Sequence, residues 1–296
     1  MYELFKYEMT KKEKRIKFWN GLTNEILSIR TTLCVWFKCY PKFKDIKSIR
    51  NLKYDTVTDI PVQSFNPITL NEDGSARPDM DSAFTKECAI YGSRDITILT
   101  KLKTVIGKGW GHDDEEGHYV PGEPVKKRSI SASVNTPAIY DPIGIYCATL
   151  VFDNRAKGSW DAWWFHRMAT KKEKGKPGGY QEWDMMERFF GTNDPPNVLT
   201  TTAHRGLDSQ HRNMYNKSYR IPKSMNRIRM NSKFTGNKMK LYINGMLVWV
   251  GKQWQTQAPM KMIINSGLQE GTLLYVHDEL KEQDYKFMVS NIKHYK

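Results

Sequence analysis

Hydrophobic and polar positions change their rhythm once along the chain. Over residues 1–53 Gly and Pro are scarce and Lys and Arg recur. Ile16, Trp19, Leu22, Ile26, Leu27 and Leu33 there approximate the three-to-four-residue spacing of one helix face. From Tyr54 onward, short β-branched and aromatic runs are broken by Gly, Pro, Asn and Asp, the texture of a many-stranded sandwich. The pattern predicts a basic, partly helical extension over 1–53 and an all-β domain over 54–296. Such an extension either packs on the main domain with a solvated basic face or serves as an anchor to a docking partner.

Within the β region, Ala89 to Lys103 predicts two strands around Gly92-Ser93, and 129–136 and 144–152 predict further strands. Asn71 to Gly74 and Asn154 to Gly158 have turn composition, and Met168 to Gly179 is a basic loop. Gly107 to Gly122 predicts a long loop, whose His112, Asp113, Asp114, Glu115, Glu116 and His118 lack a recognised metal-ligand spacing. Trp160, Ala162 and Trp164 alternate with Asp161, Trp163 and Phe165, so one set belongs to the core and the other lines a groove where indoles can stack on sugar rings. Lys238 to Val250 is two alternating runs joined at Asn244-Gly245, the clearest hairpin in the chain. Residues 259–265 and 285–296 also have strand character.

Glu182, Asp184 and Glu187 stand in the stretch QEWDMMERFFG, residues 181–191. Local propensity alone favours a helix with its acids spread round the axis. As a strand, the stretch would put Glu182 and Asp184 on one face and Glu187 on the other. An extra residue at the Met185-Met186 pair, a β-bulge, returns Glu187 to the shared face. Three carboxyl groups in a row suit glycoside hydrolysis, in which two of them, about 5–5.5 Å apart, act as nucleophile and acid/base. His204, ending the β-branched run from Val198, would lie beside them on the next strand.

Composition narrows the setting. With 46 Lys and Arg against 32 Asp and Glu, a net charge of +14 favours polyanions, among them nucleic acid, anionic membrane surfaces and acidic polysaccharides. No phosphate loop, RNA-binding aromatic signature or zinc-finger spacing accompanies the charge, which makes nucleic acid the weaker partner. No run of about 18 apolar residues predicts a membrane span. Four cysteines without a CxxC pair point to free thiols in a reducing compartment. The first residues lack the apolar core of a signal peptide, so the expectation is synthesis in the cytoplasm, with release by lysis or carriage on a phage or virus particle.

From about Ile96 onward the chain resembles family-16 glycoside hydrolases, the laminarinases, lichenases, agarases and carrageenases. GSWDAWWF (158–165) is similar to the family's GxWPAFWL, EWDMME (182–187) to its bulged ExDxxE signature and LYING (241–245) to its fYvDG hairpin, with 143–150, 197–204 and 259–265 matching further blocks in order. The resemblance implies a concanavalin A-like jelly-roll β-sandwich and a retaining endo-acting hydrolase of β-linked polysaccharide. In those terms Glu182 is the nucleophile, Asp184 its holder and Glu187 the general acid/base. Trp160, Trp164, Trp163, His204 and Asn265 bind substrate, and neither metal nor cofactor takes part in the chemistry. Asp161 stands where the family has proline, and Ser290 where it has an aspartate that can help hold a structural calcium, which places that ion in doubt. An idle carbohydrate-binding or virion structural protein on the same fold is the alternative.

Overall fold

The structure is a computed structural model that describes residues 11–42, 44, 57–67, 75–76, 82–113, 119–137, 143–153, 157–167, 180–189, 197–207, 210–236, 238–252, 260–269 and 281–296. One helix, α1 (Lys11–Trp36), precedes the strands. They are β1 (Val57–Asp59), β2 (Asn66–Pro67), β3 (Ser75–Ala76), β4 (Ser82–Phe84), β5 (Ala89–Tyr91), β6 (Asp95–Asp113), β7 (Tyr119–Ser131), β8 (Ser133–Asn135) and β9 (Gly144–Phe152). They continue as β10 (Trp160–Arg167), β11 (Tyr180–Phe189), β12 (Val198–Leu207), β13 (Gln210–Arg220), β14 (Arg227–Phe234), β15 (Lys238–Ile243), β16 (Met246–Lys252), β17 (Lys261–Asn265) and β18 (Tyr285–Tyr295).

Two sheets result. An eleven-stranded sheet runs β16-β15-β14-β9-β18-β6-β3-β4-β7, with β1 beside β18 and β5 beside β6. A seven-stranded sheet runs β13-β12-β11-β10-β17-β8-β2. Pairing is antiparallel apart from β3 with β6 and β4 with β7. The predicted 129–136 strand is in fact two, β7 in the larger sheet and β8 in the smaller, parted at Ala132, so the chain changes sheets there.

Inward-facing residues of both sheets form one apolar core. Trp163, Phe165, Trp183, Met185 and Met186 of the seven-stranded sheet meet Tyr146, Leu150, Met230, Phe234 and Phe287 of the other. The Tyr146 and Phe165 rings pack edge to face at 4.8 Å between centroids, and Trp183 lies 6.1 Å from Phe234. The hairpin at Asn244-Gly245 closes through two positive φ angles, 48° and 81°, as a tight turn matched to strand twist requires.

The 107–122 segment departs from expectation. Gly107 to Asp113 continues β6 and pairs with β7 as far as Asp113 opposite Tyr119, so only 114–118 lie outside the described strands. Glycine disfavours strands on its own, but the growing β6–β7 ladder overrides local propensity. The turn expected at 71–74 and the basic loop at 168–179 lie outside the described residues.

Helix α1 lies across the open edges of both sheets, β13 and β16. It does so with a polar face. Asn24 donates from Nδ2 to the Val250 carbonyl at 2.8 Å and accepts from the Val250 N–H at 2.7 Å, completing the edge of β16 as another strand would. The Ser28 hydroxyl donates to the Ser218 carbonyl at 3.0 Å, the Arg220 N–H reaches Thr31 Oγ1 at 3.4 Å, and Glu25 pairs with Lys217. Asn20, Asn24, Leu27 and Thr31 are buried, whereas Trp19, Leu22, Ile26 and Leu33 of the predicted apolar stripe face solvent. Sheet edges present unpaired N–H and C=O groups, and these select amide and hydroxyl side chains for the covering face.

Among the described residues, Cys34, Cys39, Cys88 and Cys147 are free thiols. No described helix is long and apolar enough to cross a membrane.

Candidate active site

The centre of the site is a kink in β11. Towards β10, Trp163 faces Met186 and Trp164 faces Asp184, so Met185 has no partner. Towards β12, Asp184 pairs with Thr202 and Glu187 with Thr200, three steps along β11 against two along β12. The extra residue therefore sits at the Met185-Met186 pair. Both methionines turn into the core, where each is fully buried, and Glu187 returns to the face of Glu182 and Asp184. A bulge leaves backbone groups outside the ladder, and the Thr201 hydroxyl donates to the Met185 carbonyl at 3.1 Å.

Loss of that hydroxyl has a measurable consequence. Thr201→Val keeps the shape but leaves a buried carbonyl unsatisfied, so chemical denaturation should show a loss of about 1–3 kcal/mol. An unchanged denaturation midpoint would mean that the hydroxyl does not support the bulge.

Cross-strand register assembles the outer face. Ala162, Trp164 and His166 of β10 stand opposite Glu187, Asp184 and Glu182. His204 of β12 stands opposite Glu182, and Asn265 of β17 stands opposite Ala162. His204 Nε2 lies 2.8 Å from Asp184 Oδ2 and 3.7 Å from Glu182 Oε1. The Trp160 indole N–H donates to Glu187 Oε1 at 3.1 Å, and the Thr202 hydroxyl lies 3.4 Å from Oε2 of the same carboxyl. The Trp164 indole N–H donates to Asn265 Oδ1 at 2.7 Å, which fixes the tilt of that ring.

Burial and charge set the protonation pattern. Desolvation, joined by the negative charge of Asp184, pushes Glu187 well above the usual carboxylate range, and the Trp160 hydrogen bond only partly opposes it. Burial lowers His204 from its ordinary value of 6.5, against the pull of Glu182 and Glu187, so the ring is neutral near pH 7. A neutral ring with its proton on Nε2 donates to Asp184.

Trp163 is a correction to the expected substrate contacts. It is fully buried in the core between the sheets and cannot reach a ligand on the outer face. Alternation places it opposite in direction to Trp160 and Trp164.

Asp161, in the place of the family's proline, also points inward. Its Oδ2 accepts from Arg188 Nε at 2.9 Å and Nη2 at 2.7 Å, and its Oδ1 accepts from the Ser266 hydroxyl at 2.6 Å. Arg188 Nη2 also reaches the Asp153 carbonyl and Ser159 Oγ, and the guanidinium lies 4.9 Å from the Phe152 ring centroid. This buried ion pair ties β10 to β11 directly behind Glu187. Arg188→Met should cost about 3–5 kcal/mol in urea denaturation, because it strands the Asp161 charge. A loss below about 1 kcal/mol would show that the pair contributes no more than an exposed one.

Among the described residues, one group could gather a metal. Single ligand atoms of Glu182, Asp184 and His204 lie within 4.8 Å of one another. The 2.8 Å approach of His204 to Asp184 is a hydrogen-bond length, shorter than the roughly 3.3 Å between two ligands of a tetrahedral zinc. Where the resemblance places a calcium-holding aspartate, Ser290 is buried, its hydroxyl lies 3.4 Å from the Asn291 side-chain amide, and Asp95 of β6 stands opposite it in the ladder.

Fold and site together define a two-sheet jelly-roll sandwich with a row of acids across the outer face of its smaller sheet. No protein-family profile matches the chain, and no curated protein matches it in sequence. Solved structures do share the fold. The κ-carrageenase from Pseudoalteromonas carrageenovora, in complex with an oligotetrasaccharide of κ-carrageenan, superposes with a TM-score of 0.57 at 13% identity over 81% of this chain and 95% of that one. The catalytic domain of an endo-1,3-β-glucanase (laminarinase) from Thermotoga petrophila gives 0.52 at 15% identity over 81% and 96%. A β-1,3-1,4-glucanase (lichenase) derived from a mouse hindgut metagenome gives 0.52 at 12% over 81% and 98%. The sandwich of this chain is thus the one used by these polysaccharide-cleaving enzymes, as its resemblance to family 16 implied.

Sequence reasoning missed three features of the site. His166 shares the outer face with Trp164, their rings 5.5 Å apart, and extending the alternation from Trp160 by one more step would have found it. Thr202 follows in the same way from its place two residues before His204. The Asp161–Arg188 pair carries no local signal, because its partners come from different strands.

Proposed function

We propose that this protein is a retaining, endo-acting glycoside hydrolase of β-linked polysaccharide. The observation that carries the proposal is the bulge in β11, which gathers Glu182, Asp184 and Glu187 on one face, where burial raises the proton affinity of Glu187. Glu182 attacks the anomeric carbon, and Glu187 gives its proton to the departing glycosidic oxygen, so that bond breaks as the glycosyl ester forms. Glu187, now ionised, takes a proton from water, whose oxygen attacks the same carbon and releases Glu182. Asp184, held by His204 at 2.8 Å, stands beside the nucleophile and raises the proton affinity of Glu187. Trp160 and Trp164, both on β10, offer faces for stacking sugar rings beside the acids.

The net charge of +14 favours an anionic glycan, such as a sulfated galactan or acidic capsule, over a neutral β-glucan. A reducing-end assay over a panel of neutral and sulfated β-glycans, with Glu182→Gln in parallel, tests the proposal. Activity on at least one glycan that the substitution abolishes is expected. Equal activity in the two proteins would end the assignment.

A further inference from the structure

Helix α1 is sided in the opposite sense from an ordinary surface helix. Its docked face is polar, and Trp19, Leu22, Ile26, Ile29, Leu33 and Trp36 are exposed; Ile26 is 59% and Ile29 53% accessible. These six residues follow intervals of three, four, three, four and three, the spacing of a and d positions in successive heptads. With Trp19 at a, the docked residues Asn20, Asn24, Leu27 and Thr31 fall at b and f, which face away from a coiled-coil seam. The helix thus holds its own domain on the outer side and presents a complete seam on the other.

We propose that α1 docks on the same helix of other copies of this chain, forming a parallel three-stranded coiled coil with the sandwiches arrayed outside it. Three features of the seam point to self-association. First, Glu25 at g and Arg30 at the following e are both exposed and are spaced as the g-to-e′ pair that links neighbouring parallel helices, Glu25 being also held by Lys217 of its own chain. Second, Ile stands at both a and d in the central layers, Ile26 and Ile29, and Leu33 at a follows Ile29 at d, combinations that favour more than two strands. Third, between residues 18 and 36 the only charged groups are Glu25 and Arg30, so the stripe is neutral overall. An anionic lipid surface would instead draw on basic residues along its flanks, and here the excess sits at the ends, at Lys11, Lys14, Arg15 and Lys38.

The seam spans two and a half heptads, about 27 Å. Isolated helices of that length are marginal in water, because the ordering entropy of the helix opposes association. Here the helix is already ordered by its hydrogen bonds to β13 and β16, so association meets less of that cost. On a polymeric ligand, three sandwiches held about one axis would also gain avidity.

Size-exclusion chromatography with light scattering on the full chain tests the seam. The unaltered protein should elute with the mass of three chains. Ile26→Glu with Ile29→Glu should reduce it to one chain while the near-ultraviolet spectrum of the sandwich is kept, since both side chains face solvent. Arg30→Glu should weaken the trimer by placing like charges across the g-to-e′ pair. A single chain or any other stoichiometry in the unaltered protein, or a trimer that survives the double glutamate substitution, overturns the proposal. So does a single chain that floats with phosphatidylserine vesicles and loses that property on Ile26→Glu and Ile29→Glu, which would make a lipid surface the occupant.

Discussion

Glu182→Gln should leave a folded protein that binds its polysaccharide and cleaves it about a thousandfold or more slower, with kcat carrying the loss and KM little changed. The amide preserves the size of the side chain, and Glu182 is the most accessible of the three acids, so the substitution disturbs neither the core nor the bulge. In the proposed mechanism it removes the oxygen that attacks the anomeric carbon, an interaction that exists only as the reaction proceeds. Steady-state rates on the glycan found in the panel, with binding measured separately, decide the matter. A loss confined to KM would reduce Glu182 to a binding residue.

Glu187→Gln should separate into two effects of opposite sign. Cleavage of polysaccharide should fall by about 10²–10⁴-fold, because the leaving oxygen no longer receives a proton. A substrate with an aryl leaving group needs no such help, so formation of its glycosyl ester should be largely spared. In the unaltered protein, activity should decline on the alkaline side as Glu187 ionises, and the variant's residual activity should lack that limb.

Stability should move the other way. The folded pKa of Glu187 lies above its ordinary value of 4.5. As pH rises past that value, the unfolded chain loses its proton before the folded one, and folding is progressively disfavoured until the folded group ionises as well. Glu187→Gln removes this penalty. Its Tm should exceed that of the unaltered protein in mildly alkaline buffer, by about 2–4 °C per kcal/mol relieved, and the difference should shrink near pH 4.5. A Tm lowered at every pH would mean that the carboxyl is a structural asset and is not held under strain.

Elements whose residues carry their own geometric demand were legible in the sequence. The β15–β16 turn needs two positive φ angles, and Asn244-Gly245 supplies them. The bulge in β11 was legible from the spacing of its acids, against a local propensity for helix, because Glu187 joins Glu182 and Asp184 on one strand face only if a residue is gained between Asp184 and Glu187. What depended on distant partners was not legible. Gly107 to Asp113 has loop composition, yet a long ladder with β7 makes it a strand. The apolar stripe of α1 was visible, but which face docks is decided by the open edges of β13 and β16. Trp163 and Trp164 are identical in chemistry, and their fates differ only by the direction in which each leaves the strand.

The proposed mechanism needs a strand kinked so that one acid attacks while another shuttles the proton. Its most direct test is the configuration of the first product, followed by proton NMR of the anomeric signal at the newly released reducing end. A retaining pair on a β-linked glycan predicts that the β-anomer appears first and the α-anomer grows only by mutarotation. An α-anomer released first would require water, not Glu182, to be the attacking group, and would contradict the arrangement described for this site.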